Sequence, residues 1–301
     1  MPIYLTIKSD YSIIQSVNIK TQFDGGIFMN KSITLSDFHL HSYFSSDSKS
    51  SPESMVKEAI DLGLSSICFT DHNDFDYPID DEKIMFQLDL PSYMKEMMEL
   101  RTRYEGVLPI YIGLEQGLQK KSAHRINHYG EEYDFDFIIG SSHVVDGVDP
   151  YYKSYWDGIT IKEGIQKYFL SIIENIKICD KFDVYGHIDY IIRYVPDKNF
   201  IYNYTDYCDI VNEALLLLIQ KGKGIEINTS GFKYGLDQAH PCSDIIRKYK
   251  ELGGEIITIG SDGHKPEHIA YDFEKVPKIL KACGFDYYTV FKNRKPSFIK
   301  I

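Results

Sequence analysis

From Ile33 onward the chain alternates short β-rich runs with runs whose apolar residues recur at helical spacing. ITLSDFHLH supplies a first strand. Ser51-Pro52-Glu53 then opens a helix, with Ser51 in the capping position and Pro52 in the first turn, and MVKEAIDLG carries it to a stop at Gly63. SSICFTDH is the second strand; an Asp-rich loop and a helix over about 92–104 lead to LPIYIGLE, the third. FDFIIGSSH, the fourth, is expected without a long helix before it. A helical run over about 160–180 precedes FDVYGHID, the fifth. ALLLLIQKGKGIEINTSG reads as helix, glycine turn and sixth strand, and DIIRKYKELGGEIITIGSDGH repeats that theme for the seventh. A last helix over about 273–283 precedes FDYYTVFKNRKP, a terminal strand outside the main set.

Strands alternating with helices predict βα units around a parallel sheet. Seven or eight such units favour a closed or nearly closed α/β barrel over an open doubly wound sheet. No GxGxxG or GxxxxGK[ST] follows any strand, so nucleotide-binding alternatives lack their usual signature. Residues 1–34 read as an extension, irregular or strand-rich, with a turn at Gly25-Gly26 and no recognisable chemistry; residues 35–301 read as a single barrel domain.

The polar residues at the strand ends change the picture. The first strand ends in His39 and His41, which period-two alternation aims to one face, with Phe38 and Leu40 on the other. Alone, that pattern suits a half-exposed edge strand as well as a metal site. The second strand, however, ends in Asp71-His72, the third in Glu115, the fourth in His143 and the fifth in His187. The sixth ends near Asn228 and the seventh in Asp262-Gly263-His264. All strand C-termini of a parallel barrel open on one rim, so these scattered residues converge in one bowl. Imidazoles and carboxylates without cysteines suit catalytic Zn, Mn or Fe. Their number exceeds what one ion needs, so two or three divalent ions are expected, with Glu115 or Asp262 shared. Such a cluster can activate water, hold a phosphoryl oxygen and stabilise a departing alkoxide. The other histidines suit plainer roles: His124 and His128 solvated, His240 in a turn, His268 on the surface.

Composition bounds the partners. No run of 18 apolar residues exists, and MPIYLTIKSDYS lacks the layout of a signal peptide, so a cytoplasmic protein without a membrane partner is expected. Five widely spaced cysteines with no CxxC argue against a disulfide framework and a cysteine zinc site. A net charge of −11 argues against nucleic-acid binding, and leaves an anionic substrate dependent on metal ions or a few cations for counter-charge.

Taken in order, DFHLHS, FTDH, GLEQG, SSH, GHIDYIIRY, EINTSG and GSDGH resemble the PHP (polymerase and histidinol phosphatase) family, over about residues 35–295. More narrowly, they look like its monofunctional histidinol-phosphatases. That resemblance implies a distorted (β/α)7 TIM-like barrel with a trinuclear metal site on the strand C-terminal rim. By motif, the first ion takes His39, His41, Glu115 and Asp262; the second takes Glu115, His143 and His187; the third takes Asp47, His72 and His264. Asp47 stands where many relatives have histidine, and Asp71 is placed to orient rather than ligate. The implied chemistry is attack on phosphorus by a hydroxide bridging the first two ions, with Asp262, His264 and Arg193 in the catalytic set. For phosphate, Arg193 in GHIDYIIRY is the first candidate as a bidentate cation, Arg125 in the loop before the fourth strand the second, with Asn228 and Ser230 as further donors. The expected reaction is hydrolysis of L-histidinol phosphate in histidine biosynthesis, the partner being that small phosphate monoester. Candidates for its amine and imidazole lie in Asp74–Glu82 and around Asp146. Competing readings are a phosphoesterase for another small ester, an amidohydrolase, a polymerase-associated nuclease and a non-catalytic metal-binding regulator. An amidohydrolase usually wants a metal-bridging lysine where this chain has His143, and net charge disfavours the nuclease.

Overall fold

The computed structural model describes residues 35–78 and 86–301; the expectations for residues 1–34 and for 79–82 lie outside them. Each of the seven β-rich runs contains a strand. These are β1 (Ser36–Leu40), β2 (Ser66–Phe69), β4 (Ile110–Gly117), β5 (Phe137–Ser141), β6 (Val184–Tyr185), β7 (Gly224–Asn228) and β8 (Ile257–Gly260), with a two-residue β3 (His72–Asn73) beside β4. They pair in the order β1-β2-β4-β5-β6-β7-β8, and every pairing is parallel. The exit of β8 returns to β1, where His41 N donates to Gly263 O at 2.9 Å, so the sheet curls almost into a closed barrel. This is the distorted seven-stranded α/β barrel expected.

Helices α1 (Pro52–Asp61), α2 (Leu90–Arg103), α3 (Ala123–Glu132), α4 (Ile161–Ile178), α5 (Cys208–Gln220), α6 (Ser230–Lys233), α7 (Ser243–Glu251) and α8 (Val276–Ala282) fill the crossovers. Ser51 caps α1 by accepting from Ser54 N at 3.2 Å, and Thr160 and Glu163 form a reciprocal capping box on α4. Two expectations are corrected. The fourth strand is preceded by a ten-residue helix, α3, which also means that Arg125 sits on a helix and not in a loop. The terminal strand is one arm of an antiparallel hairpin, β9 (Tyr287–Lys292) and β10 (Lys295–Lys300). Among the described residues no helix is long and apolar enough to cross a membrane.

The core has two layers. Ile67, Phe69, Ile112, Leu114, Ile225 and Ile257 pack outward against Met55, Met97, Ile172, Leu215 and Ile246 of the helices. Inside the barrel, Phe38, Cys68, Phe137, Ile139 and Val184 meet Phe291 of β9. The Phe38 and Phe137 rings touch across that interior with centroids 5.5 Å apart, and Phe291 lies 5.0 Å from Phe137. The hairpin turn is tied down where Asn293 N and Arg294 N donate to Asp136, just ahead of β5. The hairpin therefore sits at the N-terminal end of the barrel, opposite the rim that carries the histidines.

One local expectation fails. Phe38 and Leu40 do not share a face: Phe38 enters the barrel interior, whereas Leu40 joins the outer layer. The pairing of β1 with β2 shifts register between Asp37 and Leu40, and His39 N turns to donate to the Asp37 carboxylate at 3.3 Å. A register shift breaks period-two alternation at that point.

Candidate active site

Glu115 sits on the inward face of β4, opposite in alternation to Ile112 and Leu114, and is completely buried. Its carboxylate lies within 3.5 Å of five imidazoles. Oε2 is 3.2 Å from His39 Nε2, 3.5 Å from His41 Nε2 and 2.8 Å from His72 Nδ1. Oε1 is 3.2 Å from His143 Nε2 and 2.9 Å from His187 Nε2, and accepts from Ser141 Oγ. Asp262, directly after β8 and in the left-handed region at φ 53°, brings Oδ1 to 3.4 Å from His41 Nε2 and 3.9 Å from His39 Nε2. Asp47, in the loop after β1, places Oδ2 3.1 Å from His264 Nε2 and 3.7 Å from His72 Nε2. The nine residues expected as metal ligands thus meet in one bowl.

Other residues aim these side chains. His39 Nδ1 contacts Glu226 Oε1 at 2.6 Å, and Glu226 Oε2 accepts from His187 N and Asn228 Nδ2. His143 Nδ1 is held by Asp74 at 2.9 Å, and His41 Nδ1 lies 3.1 Å from Ser45 Oγ. Asp71 accepts from Ser42 N and Ser45 Oγ, each at 2.7 Å, and so fixes the loop after β1. In His39, His41 and His143 the engaged Nδ1 leaves Nε2 turned into the cluster, the arrangement that outer partners impose on metal-binding histidines. Glu226 is a functional neighbour that the sequence reading missed, and Asp74, expected there as a candidate for the substrate's amine or imidazole, instead holds His143. Glu226 stands two residues before Asn228 in GIEIN, so strand alternation put it on the same inward face.

The electrostatics describe a site built around positive charge. Burial works against a charged His72, yet Glu115 and Asp47 offset it and hold its pKa up at about 10. Burial likewise opposes charge on His39 and His143, but Glu226 with Glu115, and Asp74 with Glu115, keep both well above the usual imidazole range. Burial would push Glu115 up, but His39, His72 and His143 hold it well below the ordinary carboxylate value. His41 is driven well below its usual value by burial and by the neighbouring His264 and His72. His39 Nε2, His41 Nε2, His264 Nε2, His72 Nδ1 and Glu115 Oε2 are buried without a hydrogen-bond partner. Buried polar atoms ordinarily find partners. Here the unpaired atoms are imidazole nitrogens and a carboxylate oxygen, grouped within 4.8 Å as His41/His72/His264, His39/Glu115/His187, His39/His41/Asp262 and His72/Asp74/His143. That donor set fits divalent zinc, manganese or iron.

A cavity of about 720 Å³ opens over the cluster, lined by Asp47, His72, His143, His187, Asp262 and His264 on one side. Arg193 lies on its wall in the turn Tyr190–Tyr194, with its guanidinium 3.8 Å from the Tyr234 ring centroid and Nη1 4.0 Å from Asp262 Oδ2. Nη1 has no hydrogen-bond partner. Neither Arg125 nor Asn228 lines this cavity. Arg125 pairs with Asp76 at 3.3 Å and stacks over Phe75, while the Asn228 amide is spent on Glu226 and the Ser230 backbone. Ser230 is buried with Oγ unpaired. Asp146 is exposed and pairs with Lys167. His124 and His128 are exposed on α3, as expected. His268 is not a plain surface residue: it is half-buried on the cavity rim. His240 is fully buried, its Nδ1 2.5 Å from Asp189 Oδ1.

Comparison with known proteins places this geometry. The family model for the PHP domain matches residues 37–230. The chain is 34% identical over 260 residues to the histidinol-phosphatase of Lactococcus lactis subsp. lactis, covering 86% of this chain and 95% of that one. It is 31% identical over 270 residues to a probable histidinol-phosphatase of Clostridium acetobutylicum, covering 88% and 96%. Among solved structures it matches the L. lactis histidinol phosphate phosphatase complexed with zinc, L-histidinol and phosphate, with TM-score 0.81 and 32% identity over 88% of this chain and 100% of that one. The putative histidinol phosphatase of Listeria monocytogenes, 20% identical with TM-score 0.66, shares the fold.

Proposed function

Because the chain belongs to the PHP domain family, we propose that it is a metal-dependent phosphomonoesterase that hydrolyses L-histidinol phosphate to L-histidinol and inorganic phosphate. The carrying observation is the Glu115 carboxylate, buried within 3.5 Å of five imidazoles from four strand ends, on one cavity with an unpaired Arg193 nitrogen. The reaction belongs to histidine biosynthesis. Residues 35–301 form the catalytic unit and the location is cytoplasmic, in keeping with five cysteines that are all unpaired. With a net charge of −11 its partner is the small phosphate monoester, not nucleic acid or a membrane surface.

His39, His41, Glu115 and Asp262 would hold a first divalent ion, Glu115, His143 and His187 a second, and Asp47, His72 and His264 a third. Zinc, manganese or iron so held supplies an activated water, a Lewis acid for phosphoryl oxygens and the positive field the acidic chain lacks. The protein's own groups do the rest. Glu226, Asp74 and Ser45 lock imidazole orientation, so no side chain has to reorganise when charge develops on phosphorus. Arg193, clamped between the Tyr190, Tyr194 and Tyr234 rings, presents Nη1 to a phosphate oxygen. Asp262 bridges the imidazoles and that guanidinium, and is the carboxylate placed to take up the proton of the attacking water, while His264, its Nδ1 on the Asp262 carbonyl, turns Nε2 towards Asp47.

Steady-state hydrolysis of L-histidinol phosphate against a panel of phosphomonoesters and phosphodiesters tests the assignment, with Zn²⁺, Mn²⁺ and Mg²⁺ returned separately to metal-stripped protein. L-histidinol phosphate should lead the panel. If diesters win, or p-nitrophenyl phosphate is hydrolysed equally well, the assignment fails. Arg193→Ala should raise KM about tenfold or more, the scale of a charge-assisted hydrogen bond, and an unaltered KM would move phosphate binding elsewhere.

A further inference from the structure

The cavity wall carries one buried charge that the phosphate chemistry does not use. Asp149, in the segment between β5 and α4, is only 5% exposed and lines the same cavity as His143 and Arg193. Its carboxylate accepts from the Tyr77 hydroxyl at 2.6 Å through Oδ2 and from Tyr151 N at 2.7 Å through Oδ1. The other acidic residues on that wall, Asp47, Asp74 and Asp262, each face an imidazole within 4.0 Å. Asp149 makes no ion pair among the described residues, and burial pushes its carboxyl up. A carboxylate offers about four acceptor sites, and two donors leave half of them open. Holding such a group out of water without a cation is costly.

Its surroundings are aromatic. Tyr77 packs edge-on to Phe86 with centroids 4.8 Å apart, Tyr151 contacts Tyr194 at 5.6 Å, and Tyr194 contacts Tyr190 at 4.9 Å. Arg193 lies against the same Tyr190 and Tyr194 rings. One aromatic wall therefore has a cation at one side and, at the other, a carboxylate with no ion pair among the described residues, drawn on only by the more distant His143. Aromatic faces and a carboxylate together attract an organic cation, as the guanidinium and the metal cluster attract a phosphate.

We propose that Asp149 is the specificity-determining residue of this enzyme, receiving the protonated amine of an amino-alcohol phosphate whose phosphate end lies on Arg193 and the metal cluster. This rests on the histidinol phosphate reading above. An ammonium at Asp149 supplies the missing counter-charge, and a substrate lacking it leaves that carboxylate buried and unpaired. A site built around a polar partner rejects the analogue that lacks it far more strongly than a hydrophobic pocket rejects a missing methylene.

The test is the ratio of kcat/KM for L-histidinol phosphate over its des-amino analogue, 3-(imidazol-4-yl)propyl phosphate, in metal-loaded wild type, Asp149→Asn and Tyr77→Phe. The wild-type ratio should be about 100 or more, and Asp149→Asn should bring it to within about tenfold of one. Metal content by elemental analysis shows that each variant is loaded and folded. Tyr77→Phe removes only the hydroxyl that steadies Asp149, and should shift the ratio at least about threefold even where Asp149→Asn fails to fold. A wild-type ratio near one, or an unchanged ratio in a loaded Asp149→Asn or Tyr77→Phe, overturns the role of Asp149. The phosphatase reading survives that result provided L-histidinol phosphate still outruns p-nitrophenyl phosphate. If it does not, both fall together.

Discussion

Glu115 and Glu226 are both fully buried carboxylates on the barrel's inward face, yet they act differently. Glu115 meets five imidazoles, so Glu115→Gln removes the charge that gathers them. Its expected outcome is loss of bound metal by elemental analysis and of essentially all turnover; unchanged metal content and rate would sink the assignment of Glu115 as a shared ligand. Glu226 touches only the rear of His39, the His187 amide and Asn228. Glu226→Gln should therefore weaken metal affinity about 10- to 100-fold in a chelator competition while the protein stays folded. The raised imidazoles give a pH dependence with a fixed sign. Without metal, His72 keeps its proton up to about pH 10, and His39 and His143 are likewise held protonated above their ordinary range. Metal must displace those protons, so loading at pH 7.5 should release protons, and affinity should climb as pH rises. A pH indicator in weak buffer reads the release directly. The convergence of the strand-end histidines and carboxylates was legible because a barrel converts sequence position into a common rim. Glu226, and the role of Asp74 behind His143, were harder to see, because a carboxylate behind a histidine has no motif of its own.

At the scale of elements, the clear helices and the faint ones differ in how much they bury. α4 puts Ile165, Phe169, Ile172, Ile173 and Ile176 into the core, and its periodicity stands out. α3 buries only Ile126, so AHRINHYGEE has too few apolar residues to mark a buried helical face and reads as loop. The β9–β10 turn uses Asn293 and Arg294, both at positive φ, where a glycine would have announced a hairpin. The register shift in β1 was hidden for a different reason: it depends on pairing with β2 and on Asp37, whose carboxylate accepts from Ser261 N at 3.0 Å and Ala270 N at 3.0 Å. The hairpin also makes a stability prediction. Phe291 is the plug beneath Phe137, and Phe291→Ala should cost about 3–5 kcal/mol in denaturant unfolding. A loss under about 1 kcal/mol would mean that the floor of the barrel closes without it.

For the whole molecule, the contrast is between a net charge of −11 and a reaction on an anion. Metal ions reconcile the two, and they also bind the folded state far better than an unfolded chain whose ligands are scattered. At a thousandfold excess over Kd such binding adds about 4 kcal/mol, so chelation should lower the melting temperature by several degrees, and Zn²⁺ or Mn²⁺ should restore it. A melting temperature indifferent to chelator would contradict a metal cluster at the centre of the fold. The barrel class and the location of its rim were readable from strand order alone, since βα repetition leaves few closed solutions. Which cavity wall carries Arg193 and Asp149 was not, because both sit in loops whose course depends on aromatic packing between residues far apart in sequence.

The closure of β8 onto β1 has one more consequence, for how the enzyme is made. Asp37 and Ser261 are joined across 224 positions, and Asp262 follows immediately. His39 and His41 precede Asp262 and His264 along the chain, so a nascent chain exposes the first pair well before it can present the second beside them. The residues that would hold the first and third ions are thus completed only after Glu115, His143 and His187 have been made. A chain stopped before β8 would therefore lack part of the ligand set for two of the three proposed ions, whatever metal is at hand.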